Sequence, residues 1–100
     1  MKEDDSLFST RWVHVFEEDT AEGAVYRPED TRIPLSRRPR ERLELRRDGS
    51  ASVFLPGPDD RLIEKTAAWS REDGDIVLRT GGGETLVITE RLPRQLRVRA

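Results

Sequence analysis

The sequence predicts an all-β fold, a small antiparallel meander β-barrel of seven or eight strands. Three observations carry that expectation. Apolar residues come in short runs of period two and form no amphipathic helical stripe. Turn chemistry recurs between the runs, as Asp48-Gly49, Asp73-Gly74 and Gly81-Gly82-Gly83. The spacers are short, so most hairpins join sequence neighbours, and a meander of this many strands hides its edges by closing on itself. A two-sheet sandwich would bury the same residues. It would need a long crossover, for which only residues 28–40 offer the length.

The elements follow in order. Residues 1–6 read as a disordered acidic leader, and residues 7–100 as one domain. Residues 8–17 alternate Trp12, His14 and Phe16 with Val13 and Val15, which predicts a first long strand. Residues 23–27 make a second strand. Pro28, Pro34 and Pro39 then exclude an interior ladder, so 28–40 is expected to be a loop with at most a short edge strand near Ile33. Residues 41–55 form a hairpin. A three-residue loop, Arg47-Asp48-Gly49, puts Leu43, Leu45, Ala51, Val53 and Leu55 on one face, with Phe54 outside. A two-residue turn would instead pair Leu45 with Ser52. Residues 64–71 and 75–80 take the two-residue turn Asp73-Gly74, which sets Trp69 against Leu78 beside Ile76. Residues 84–90 and 95–99 complete the set. The expected core contains Trp12, Leu43, Leu45, Val53, Trp69, Ile76 and Leu78.

Composition limits the chemistry. Apolar residues make up 34% of the 100 positions and charged residues 38%, so the interior must be narrow. The chain has no cysteine, which removes disulfides, thiolate metal sites and thiol nucleophiles. No stretch has the apolar length of a membrane-spanning helix, and acids follow Lys2 where a secretory signal would be apolar, so a cytoplasmic location is expected. The net charge is −2, yet residues 36–47 hold six arginines against two glutamates. That cluster, Arg37, Arg38, Arg40, Arg42, Arg46 and Arg47, suits an anion clamp, but internal ion pairs and a solvated face are the simpler explanation. The net negative charge and the inward aromatics argue against nucleic acid.

The run Trp12-Val13-His14, the segments Tyr26-Arg27-Pro28, Pro34-Leu35-Ser36-Arg37 and Leu43-Glu44-Leu45-Arg46, the Asp48-Gly49 turn and Trp69 together resemble small bacterial lipocalin-like (calycin-type) proteins of uncharacterised role. The resemblance implies a barrel in which Trp12 crosses the closed end and a late arginine, Arg97 or Arg99, packs over it. Thr10 stands where the family's Gly-x-Trp motif has glycine, and the chain is shorter than secreted lipocalins. The resemblance implies the fold more firmly than any activity.

No residue pattern identifies an enzyme, and no cofactor is expected. His14 is the sole histidine, in phase with Trp12 and without a second histidine for a metal site. None of the six serines sits in a nucleophile elbow. Glu17-Glu18-Asp19 and Asp59-Asp60 lack the spacing of a calcium loop. The glycine triplet is a turn, since no lysine or helix follows it. The expected function is non-catalytic binding of a small hydrophobic or anionic ligand at the barrel mouth, by Trp12, His14 and Tyr26 inside and Arg37 and Arg38 at the rim. A filled barrel that docks another protein, with Phe54 as a candidate contact, is the alternative, and an enzyme using His14 the last.

Overall fold

The computed structural model describes residues 7–8, 10–37, 39–59, 61–92 and 94–99. The expected leader, residues 1–6, and the rim candidate Arg38 lie outside them. Eight antiparallel strands close into a barrel: β1 (Trp12–His14), β2 (Ala24–Pro28), β3 (Arg42–Leu45), β4 (Ser50–Pro56), β5 (Leu62–Glu72), β6 (Asp75–Thr80), β7 (Thr85–Leu92) and β8 (Gln95–Arg99). From β3 to β8 every strand pairs with its sequence neighbour. The closure uses the first two strands in exchanged places, because β2 pairs with β8 while β1 lies between β2 and β3. The chain from β2 to β3 therefore has to pass β1. No helix among the described residues is long and apolar enough to cross a membrane.

The hairpin registers follow from their turns. Leu43 faces Val53 and Leu45 faces Ala51 across β3–β4, as the three-residue loop requires, with Gly49 at φ 91° in the left-handed position. Trp69 faces Leu78 across β5–β6. There Asp73 (φ 53°) and Gly74 (φ 85°) both take positive φ, the backbone of a type I′ turn. Phe54 lies on the outer face opposite Arg42, half-buried under the Arg11 guanidinium at 5.6 Å.

The interior is filled. Trp12, Leu43, Leu45, Ile76, Leu78, Ile88 and Leu96 have essentially no solvent exposure, and Tyr26, Ala51, Val53 and Val98 pack among them. Eight strands leave a bore that side chains of this size fill. One end is sealed by the N-terminal segment. Leu7 is buried, its carbonyl accepts the Trp12 indole N–H at 3.2 Å, and Phe8 lies against Trp69 with ring centroids 5.2 Å apart. Trp69, half-buried in the same cluster, donates its indole N–H to the Arg46 carbonyl at 2.6 Å. The cation over this end is Arg47, 5.1 Å above the Phe8 ring. Arg97 and Arg99 do not supply it. They alternate with the inward Leu96 and Val98 and so point outward, where Arg97 donates to the Thr20 hydroxyl.

Two further expectations are corrected. The first strand is three residues long rather than ten, and Phe16 is not in its inner phase. After Val15 the chain enters a single 3-10 turn, Phe16–Glu18. The reason is Asp19, whose carboxylate accepts both the Val25 backbone N–H at 2.9 Å and the His14 ring at 2.9 Å. Satisfying those groups reverses the chain immediately after β1. Residues 29–37 contain no strand, so no edge strand forms at Ile33.

Two outcomes are expected. Trp12→Ala removes the largest fully buried side chain and lowers the unfolding free energy by about 3–5 kcal/mol, read by urea titration followed by circular dichroism. The second concerns Glu72 on the β5–β6 hairpin. Its carboxylate accepts from the Arg79 guanidinium at 2.6 and 3.1 Å and from the Ser70 hydroxyl at 2.8 Å, and these bonds hold its pKa at about 2 against an ordinary 4.5. The folded value lies below the unfolded one, so this contribution is complete above 4.5 and is lost as pH falls towards 2. Urea midpoints measured at about pH 5 and about pH 2.5 should therefore drop further for the wild type than for Glu72→Gln.

Candidate functional site

At the end opposite the Trp12 seal, a cleft of about 540 Å³ opens between the barrel mouth and the 28–40 segment. His14, Phe16, Leu35, Ser36, Arg37, Pro39, Arg40, Glu41 and Pro56 line it. The volume falls within the roughly 300–1,000 Å³ of small-molecule sites. The cleft lies outside the packed bore, on top of it.

Its floor is an aromatic row. His14 and Tyr26 are direct cross-strand partners of β1 and β2, and their rings stack at 5.0 Å. Phe16 meets the His14 ring edge-on at 6.4 Å and is half exposed to the cleft. His14 donates its Nε2–H to Asp19, which fixes the ring's orientation. The buried Tyr26 hydroxyl donates to the Glu41 carboxylate at 3.4 Å. Burial pushes the Tyr26 phenol pKa upward, and the neighbouring Glu41 charge adds to the shift, so the hydroxyl remains a donor.

Arg40 holds the wall in place. Its guanidinium makes a two-pronged contact with Glu17 at 2.9 and 2.7 Å and donates to the carbonyls of His14 at 3.0 Å and Pro34 at 2.8 Å. It also lies 4.8 Å over the Phe16 ring. One side chain thus ties β1, the 3-10 turn and the middle of the 28–40 segment together. Only a planar fork can reach all of these acceptors at once. The Arg40 hydrogen bonds hold the Glu17 carboxyl below its ordinary pKa.

The sequence candidates are divided by this geometry. His14 and Arg37 line the cleft, and Tyr26 supports His14 from beneath. Trp12 is fully buried and spends its indole N–H on Leu7, so it presents nothing to a ligand. Of the arginine cluster, Arg42 pairs with Glu29 at 2.9 Å, Arg46 donates to Ser50 and Ser52, and Arg40 is consumed as described. Arg37 is exposed and makes no hydrogen bond or ion pair with the other described residues. Sequence reasoning did not select Phe16, Leu35, Ser36, Pro39, Arg40, Glu41 or Pro56. Glu41 did carry a signal, since it lies just before β3 in phase with the inward Leu43 and Leu45. Among the described residues no group of three or more His, Asp or Glu side chains is placed to hold a metal ion.

Arg40→Ala leaves the Pro34 and His14 carbonyls without their donor and should cost about 1–3 kcal/mol in urea unfolding. Hydrogen exchange should rise across residues 34–40, and Arg40→Lys should recover little of the loss because an ammonium cannot reproduce the fork.

Compared with known proteins, the chain matches no family model, and no significant similarity links it to a curated protein or to a solved structure.

Proposed function

We propose that this barrel is a lipocalin-like, non-catalytic binding module whose ligand, a small hydrophobic or anionic molecule, occupies the cleft at the mouth. The observation that carries the reading is the lining itself. Apolar surface from Phe16, Leu35, Pro39 and Pro56 surrounds a cleft in which Arg37 retains an uncommitted guanidinium. An apolar wall with a few oriented polar groups is the usual composition of a small-molecule site. The ligand sits on the filled barrel rather than inside it, which distinguishes this reading from a lipocalin with an open bore.

Binding is favoured over catalysis by the connections of His14. Asp19 orients the ring through Nε2, but Ser36, the one hydroxyl-bearing residue of the cleft lining, forms no hydrogen bond with His14 among the described residues. A nucleophile would need that contact. A protein-docking role draws support from Leu35, which is fully exposed at the cleft edge, and it would use the same face.

Neither indole lines the cleft, so amide NMR is a better reporter than tryptophan fluorescence. Titration with 4-phenylbutyrate or an apolar dipeptide should shift the resonances of His14, Phe16, Leu35 and Arg37, and Arg37→Gln should weaken 4-phenylbutyrate binding about three- to tenfold. If neither probe perturbs these residues, the cleft is not a small-molecule site.

A further inference from the structure

The charges of the cleft specify its ligand more narrowly. This step rests on the binding function proposed above. Four residues of the lining are ionisable: His14, Arg37, Arg40 and Glu41. Arg40 is neutralised by the two-pronged Glu17 contact and places its other two Nη donors on the His14 and Pro34 carbonyls. His14 is held by Asp19, whose second demand is met by the Val25 amide. Two opposite charges remain. Arg37 is exposed and has no partner among the described residues. Glu41 is half-buried, and the sole hydrogen bond to its carboxylate among the described residues is the long one from Tyr26 to Oε1, which leaves the other carboxylate oxygen open.

A simple anion would satisfy Arg37 but would be repelled by Glu41, and a simple cation would meet the reverse. A neutral apolar ligand would cover both charges and pay their desolvation without return. A molecule with a carboxylate at one end, an ammonium at the other and an apolar body between satisfies both and covers Phe16, Leu35, Pro39 and Pro56. We infer that the mouth cleft is a site for a small apolar zwitterion of amino-acid or dipeptide type, its carboxylate on Arg37 and its ammonium on Glu41.

Matched probes separate this inference from the general reading. Leucyl-phenylalanine carries both charges, its N-acetyl derivative only the carboxylate and its C-terminal amide only the ammonium. Binding is followed by amide NMR at the cleft residues, with the fold of each variant checked by circular dichroism. The free dipeptide should bind tightest, and either blocking group should weaken it about three- to tenfold. In Arg37→Gln the dipeptide and its amide should become equivalent. In Glu41→Gln, which keeps an acceptor for the Tyr26 hydroxyl, the dipeptide and its N-acetyl derivative should become equivalent. N-acetyl-leucyl-phenylalanine binding the wild type as tightly as the free dipeptide would overturn the zwitterion while leaving an anion site intact. Binding of all three with equal affinity would reduce the cleft to an apolar one. A failure of all three, together with 4-phenylbutyrate, to shift any cleft residue would remove the binding function itself.

Discussion

The architecture depends on a seam three residues wide. β1 is the strand that closes the barrel, and it does so with Trp12, Val13 and His14 alone. On one side it meets β2 through Pro28, Arg27 and Tyr26, and on the other it meets β3 through Leu43 and Arg42. The His14 amide extends the β3 side by donating to the Glu41 carbonyl at 2.9 Å, and the Val15 amide extends the β2 side by donating to the Val25 carbonyl at 2.8 Å. Backbone pairing this short is marginal alone. It is supported by the packing of Trp12, which is fully buried between Leu7 and the strands it closes.

Placing β1 between β2 and β3 has a second consequence. The connection from β2 to β3 cannot be a tight hairpin, because it must travel past the intervening strand. The 28–40 segment supplies the length, and its prolines suit a path that makes few ladder bonds. Such a connection would be a mobile loop without an anchor. Arg40 provides one by gathering Glu17, the Pro34 carbonyl and the His14 carbonyl around one guanidinium. The strand exchange at the closure therefore generates the cleft, which is a by-product of topology as much as of side-chain choice.

What could be read from the sequence is what is local. The Asp48-Gly49 and Asp73-Gly74 turns fix their hairpins within a few residues, and the facing of Leu43, Leu45, Val53, Trp69, Ile76 and Leu78 follows from period two. The end of the first strand does not show in the pattern, because Val13 and Val15 alternate properly, while the signal that ends the strand is a carboxylate six residues before the amide it captures, Asp19 with Val25. Arg40 could not be picked from its cluster for a related reason. Its partners lie 6 to 26 positions away, and nothing in its own neighbourhood distinguishes it from Arg37 or Arg42. His14 and Arg37 were legible as cleft residues, one by phase and one by its position in the loop. Period two shows that Trp12 and Tyr26 face inward, but not how far the interior is already filled around them.

Native-state hydrogen exchange of the His14 amide tests the closed seam most directly, since that proton is the donor of a hydrogen bond between β1 and the residue preceding β3. If the barrel is closed as described, this amide exchanges only through global opening, with a protection matching the amides of β6 on the opposite side of the sheet. Exchange at the rate of an unstructured peptide while β6 remains protected would contradict the account. It would mean an open sheet whose first strand is loosely laid against β3, with no fixed cleft above it.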